Sequence, residues 1–269
     1  MDYFLNHKRI SYQTAGDETE GPDTVLLHND IDLTYGRQWA GAGYVVEQLY
    51  DNEAYQVFRH ETATLLRALW KDAGLILNEA QPLDQYHRVA ANQQEHLSAV
   101  EKTKWVAASL FPGGISRIEQ RVTQICGTKV IARNPYDDQS AFHFRVVRPQ
   151  AHDNNPLHRD VWLPDYANCI NLYIPIAGSN ADSSLSLIPG SHHWPENKVT
   201  RTTAGALVDG VQYNVPAVTA IKETYEVVRP DPKENEVLVF SPYLVHGGAA
   251  NLTADQTRIS IELRLWKSN

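Results

Sequence analysis

The stretch "NNPLHRDVWLPDY", residues 154–166, places His158 and Asp160 on either side of a single arginine, just after a proline. On an extended segment, side chains two positions apart project from the same face, so both can reach one ion. The same tripeptide opens the catalytic loop of protein kinases, which also requires an Asn five residues after the Asp, a Gly-rich loop and a strand lysine upstream. Position 165 is an aspartate, "AGAGYV" at 40–45 lacks the third glycine and no lysine strand follows it, so the kinase reading fails.

Two ligands do not fix a metal, and a third must come from a distant segment. "VLVFSPYLVHGGAANLTADQTRISIELRLW", residues 237–266, supplies His246 at the end of an apolar strand. The glycines that follow, Gly247 and Gly248, permit a close approach of the backbone. Two imidazoles and one carboxylate are the ligand set of the facial triad of non-heme Fe(II) oxygenases, which leaves the opposite positions open. An H-x-D pair alone is common in β-rich proteins, where a surface or core pair explains it equally well. Further along the same segment, Arg258, Ser260, Glu262 and Arg264 alternate with Ile259, Ile261, Leu263 and Leu265. A solvated polar strand face would show that pattern. If the polar face instead looks inward, Arg258 and Ser260 can hold a carboxylate by a bidentate pair and a hydroxyl bond.

The rest of the chain bounds the fold. With 269 residues and 42% hydrophobic content it can bury a large core, and one domain over 1–269 is expected. A net charge of −8 lacks the basic footprint of nucleic-acid or anionic-membrane binding, which points to a small-molecule partner and leaves oligomeric state open. Cys126 and Cys169 are too few for a disulfide framework. The start of the chain has no apolar leader and no run approaches the ~20 residues of a membrane span, so a cytoplasmic protein is expected. Residues 1–127 read as mainly helical: 51–74 carries Asp51 or Asn52 as cap and Gly74 as stop, and Ile115, Ile118, Val122 and Ile125 form a stripe closed by Gly127. From 128 on, short strands dominate, with "AFHFRVVRP", "CINLYIPI", "SSLSLI", "EVLVFSP" and "TRISIELRLW" separated by turn residues. Residues from about 193 to 236 read as an irregular polar insert. The class is α+β, mainly β, with helices on one face of an antiparallel sandwich or barrel.

At "HRD" (158–160), "LSLIPGSHHW" (185–194), "HGGAAN" (246–251) and Arg258-x-Ser260, the chain resembles the Fe(II)/2-oxoglutarate-dependent oxygenases, in the phytanoyl-CoA dioxygenase-like branch. The likeness spans roughly residues 140–266. It implies a double-stranded β-helix of the jelly-roll, cupin-like kind with the N-terminal helices packed on its major sheet. It further implies that His158, Asp160 and His246 bind Fe(II), and that Arg258, assisted by Ser260, anchors the distal carboxylate of 2-oxoglutarate. Asn171 and Tyr173 would touch the cosubstrate, and Arg264 would replace Arg258 as anchor if the alignment slips. The reaction implied consumes O2 and 2-oxoglutarate, releases succinate and CO2, and hydroxylates a substrate carbon. His143, Arg145 and Trp162 are candidate substrate contacts, and His192 and His193 are expected to stabilise a turn or entrance. The carboxylate at Asp160 disfavours halogenation, which needs a small residue there. A non-oxidative cupin-like metal protein or isomerase is the alternative, although it needs no dicarboxylate anchor. The opening "RISYQTAGDETEGPDTVLLHND" also resembles an α/β-hydrolase, but the nucleophile elbow of that class is missing: Gly114-Ile115-Ser116 is followed by Arg117 and Ile118.

Overall fold

The computed structural model describes all residues except 152, 154, 248, 249 and 269, so part of the "HGGAAN" motif lies outside the described residues. The chain begins with four short strands, β1 (Asp2–Leu5), β2 (Lys8–Ser11), β3 (Thr14–Ala15) and β4 (Glu18–Glu20), followed by β5 (Tyr44–Gln48). Three helices come next, α1 (Asn52–Asp72), α2 (Gln93–Thr103) and α3 (Ile115–Cys126), with β6 (Val106–Ala107) between the last two. Beyond them are β7 (Val130–Ile131), β8 (Ala141–Val147), β9 (Cys169–Ala177) and β10 (Ser186–Leu187). Four small strands follow, β11 (Val199–Thr202), β12 (Ala206–Val208), β13 (Val211–Tyr213) and β14 (Val218–Ile221). The chain closes with β15 (Glu236–Phe240), β16 (His246–Gly247) and β17 (Arg258–Lys267).

The helices start and stop for local reasons. Asp51 accepts the Ala54 N–H at 2.8 Å and caps α1. Gly127 ends α3 in the left-handed conformation at φ 63°, its N–H bonded to the Thr123 carbonyl. Along α1, Phe58, Thr62, Leu66 and Trp70 recur at helical spacing and are buried. They meet Ile118 and Val122 of α3 and one face of a seven-stranded antiparallel sheet, ordered β5-β15-β9-β17-β8-β6 with β7 also on β17. Ile259, Ile261, Leu263 and Leu265 supply that face from β17, as their alternation requires. Each such side chain stabilises the fold by about 1.5–3 kcal/mol.

The other face of the sheet carries Arg258, Ser260, Glu262 and Arg264 and looks toward the smaller sheets. Tyr173, Leu238 and Phe240 of the large sheet pack there against Leu185, Leu187 and Leu244 around the β10-β16 pair. The architecture is thus a jelly-roll with N-terminal helices on its major sheet. Among the described residues no helix is long and apolar enough to cross a membrane.

Two expectations need correction. The first 48 residues contain strands rather than helices, and β5 pairs with β15 at an edge of the major sheet. The segment 193–236 is not irregular: β11 pairs with β14 and β4, and β12 with β13 and β3. Strands of two to four residues are too short to display alternation, and β3 and β4 find their partners, β12 and β11, far along the chain.

Candidate metal centre

His158 and His246 face each other across a one-residue antiparallel bridge, with reciprocal backbone bonds of 2.8 and 2.9 Å. Asp160 follows at the start of a 3-10 turn, its N–H bonded to the Pro242 carbonyl at 3.1 Å. Gly247, at φ 106°, makes the approach possible: a Cβ there would lie 2.4 Å from the Pro156 carbonyl and 2.9 Å from His158 Nδ1.

The ring nitrogens are committed by their neighbours. His158 Nδ1–H donates to the Pro156 carbonyl at 2.7 Å and His246 Nδ1–H to the Leu244 carbonyl at 2.9 Å. Each Nε2 therefore keeps its lone pair, and the two lie 3.3 and 3.7 Å from Asp160 Oδ1. Burial, above all, pushes His246 down to about 4, so the ring stays neutral. Burial opposes ionisation of Asp160, but the Arg264 guanidinium holds its carboxyl well below the usual range. The ligand atoms of the three buried residues all lie within 4.8 Å of one another. Oδ1 is buried and accepts no hydrogen bond among the described residues. Electron-pair donors converging with no proton between them are costly unless a cation joins them, and the donor set fits Fe(II).

The other oxygen of Asp160 is fully engaged. Oδ2 accepts from Arg264 Nε and Nη2 at 3.0 and 2.8 Å and from Asn171 Nδ2 at 2.9 Å. Arg264 and Asn171 are register partners on β17 and β9, so the sheet itself builds the clamp. Tyr166 lies beneath the Arg264 guanidinium at 4.4 Å. Arg264 is therefore committed to Asp160 and is not a spare anchor. Asn171, expected to touch cosubstrate, also holds this carboxylate, while its own Oδ1 remains buried without a partner among the described residues.

Arg258 lines the same cavity as the three ligands. It is buried, donates to Ser260 Oγ at 3.0 Å and leaves its Nε without a partner among the described residues. Tyr173 does not line the cavity. Its hydroxyl bonds Ser179 Oγ at 2.7 Å and its ring backs the Arg258 guanidinium at 5.7 Å. Nearby, Arg229 donates to the Ala250 carbonyl at 2.7 Å, with Nε and Nη1 buried and unpartnered among the described residues. Burial, then the charge of Arg258, lowers it to about 10. No sequence signal pointed to Arg229, which lies in the segment read as an insert.

The three candidate substrate contacts separate. Arg145 lines the cavity, paired to Glu262 at 2.8 Å. His143 points away from it: Nδ1–H donates to the Lys104 carbonyl and the ring stacks on Trp105 at 4.6 Å. Trp162 is structural, its Nε1–H donating to Glu196 at 2.8 Å beside the buried Arg159–Glu196 pair. Both residues sit near the iron motif in sequence, yet their contacts lie elsewhere. His192 and His193 stack on each other, and both meet the Ala40 carbonyl, tying "PGSHH" to the loop before β5.

Residues 42–260 match the phytanoyl-CoA dioxygenase (PhyH) family. No curated protein sequence matches the chain. Among solved structures, AviO1 from Streptomyces viridochromogenes Tue57 shares 17% identity over 90% of this chain and 96% of its own, with TM-score 0.50. EctD from S. alaskensis with 2-oxoglutarate and 5-hydroxyectoine shares 18% over 95% of this chain and 86% of its own, with TM-score 0.50. EctD from S. alaskensis with bound Fe shares 18% over 95% and 87%, with TM-score 0.51. At such identities the likeness is one of fold.

Proposed function

This chain belongs to the phytanoyl-CoA dioxygenase family, and from that premise we propose that it is a single-domain, cytoplasmic Fe(II)- and 2-oxoglutarate-dependent dioxygenase that hydroxylates a small polar metabolite. The observation that carries this reading is the shared cavity of the three converging ligands and the buried Arg258. One EctD structure holds Fe and another holds 2-oxoglutarate, which supports the same two groups here.

Iron in this site supplies the redox chemistry that couples decarboxylation of the keto acid, with O2, to oxidation of a substrate C–H bond, releasing succinate and CO2. His158, Asp160 and His246 hold it, each prearranged by its hydrogen bonds. Arg264 and Asn171 fix the orientation of the Asp160 carboxylate. Arg258 and Ser260 receive the distal carboxylate of 2-oxoglutarate, and Tyr173 stiffens Arg258 from behind. The net charge of −8 supports a small-molecule partner over nucleic acid.

Arg258→Ala tests the assignment. We expect 2-oxoglutarate affinity, measured anaerobically by calorimetry, to fall at least tenfold with Fe(II) binding retained. Unchanged affinity would remove Arg258 as the anchor.

A further inference from the structure

We propose that Arg145 and Glu262, facing the metal cluster across the cavity, recognise a substrate carrying both an ammonium and a carboxylate group, a small zwitterion of the amino-acid kind. This rests on the oxygenase reading of the same cavity and narrows its substrate class.

Glu262 sits on β17, the strand flanked by β8 and β9, with His143 and Tyr173 as its register partners. On that inner face Arg258 and Ser260 are buried, yet the Glu262 and Arg145 side chains keep 23% and 38% of their exposure, and both line the cavity. Among the described residues, their mutual bond uses Arg145 Nε and Glu262 Oε2 only. A guanidinium has five N–H donors, so four remain, together with the second carboxylate oxygen.

The other charges in the cavity are engaged elsewhere or assigned to another ligand. Asp153 takes Arg148 Nε and Nη2 at 2.8 and 3.0 Å and faces His96 at 3.4 Å. Arg264 is spent on Asp160, and Arg258 serves the keto acid. Arg145, Asp153 and Asn155 also line an adjoining cleft against α2, so Arg145 stands where the two spaces meet.

A ligand carboxylate on Arg145 and a ligand ammonium on Glu262 complete a ring of four charges of alternating sign. An acyl chain would strip water from the ion pair and return no partner. A ligand of one charge would satisfy one residue and be repelled by the other. Glu262 is two strand positions from Arg264, about 6.7 Å along the strand, which confines the ligand to a few carbons between recognition and reaction.

The test is ligand-observed NMR on the full chain without added metal. The probes are α-, β- and γ-amino acids, their methyl esters, their N-acetyl forms, glycerol and a fatty acyl-CoA. The same probes are then scored by succinate release with Fe(II) and 2-oxoglutarate. At least one amino acid should bind tenfold or more tightly than its ester and its N-acetyl form. Arg145→Gln should erase the preference over the ester and Glu262→Gln the preference over the N-acetyl form. The wild-type ratios decide alone should either variant fail to fold. Absence of binding by every amino acid, equal binding of the blocked forms, or ratios unchanged in both variants overturns the proposal. Selective binding without succinate release keeps the zwitterion site and removes the oxygenase reading. Succinate release driven only by glycerol or the acyl-CoA keeps the oxygenase reading and removes the zwitterion site.

Discussion

At the scale of single residues, the Asp160 carboxylate divides its labour. One oxygen is saturated by Arg264 and Asn171, which leaves the other beside the two imidazole lone pairs. His158→Ala and Asp160→Ala should each abolish Fe(II) binding while the far-ultraviolet circular dichroism stays that of the native chain. Arg264→Gln removes one clamp and keeps every ligand, so Fe(II) affinity, measured by anaerobic equilibrium dialysis, should fall about 10–100-fold. Unchanged affinity would show that the clamp does not tune the ligand. The three ligands were legible in the sequence because a two-residue spacing on an extended segment and a histidine before Gly-Gly are local patterns. The duty of Arg264 was not legible. On β17 it shares a face with Arg258, and only the register that puts it beside Asn171 decides which of the two arginines reaches Asp160.

At the scale of elements, the site hangs on a close crossing of two segments. Gly247→Ala would place a Cβ against the Pro156 carbonyl and the His158 ring. The crossing must then open, and Fe(II) binding should be lost by at least tenfold with most of the helical signal intact. An intermediate effect on α1 is expected from Asp51→Ala, which leaves the Ala54 N–H without its cap. Loss of about 1 kcal/mol of stability in denaturant unfolding is the expected outcome. The long elements could be read directly: α1 and α3 declare themselves by caps and stripes, and β17 by eight alternating residues. The strands of the small sheets could not, because β3 and β4 acquire their meaning only from β12 and β11, far along the chain.

At the scale of the whole molecule, buried neutral histidines couple stability to pH. Burial lowers His96 and His192 to about 4. In the unfolded chain both protonate near 6.5, so between pH 6.5 and 4 the unfolded state binds more protons. Stability is therefore full above 6.5 and drains away as pH falls toward 4. The melting temperature should drop across that window, and a flat profile would contradict the burial of these rings. The architecture brings three metal ligands and a buried arginine into one cavity, where a keto acid can meet both. Anaerobic titration of the Fe(II)-loaded protein with 2-oxoglutarate tests it most directly, with visible absorbance as the readout. The account predicts a weak charge-transfer band that grows and saturates with added keto acid. Iron that binds while no band forms would contradict it, and would leave a cupin-like metal protein in its place.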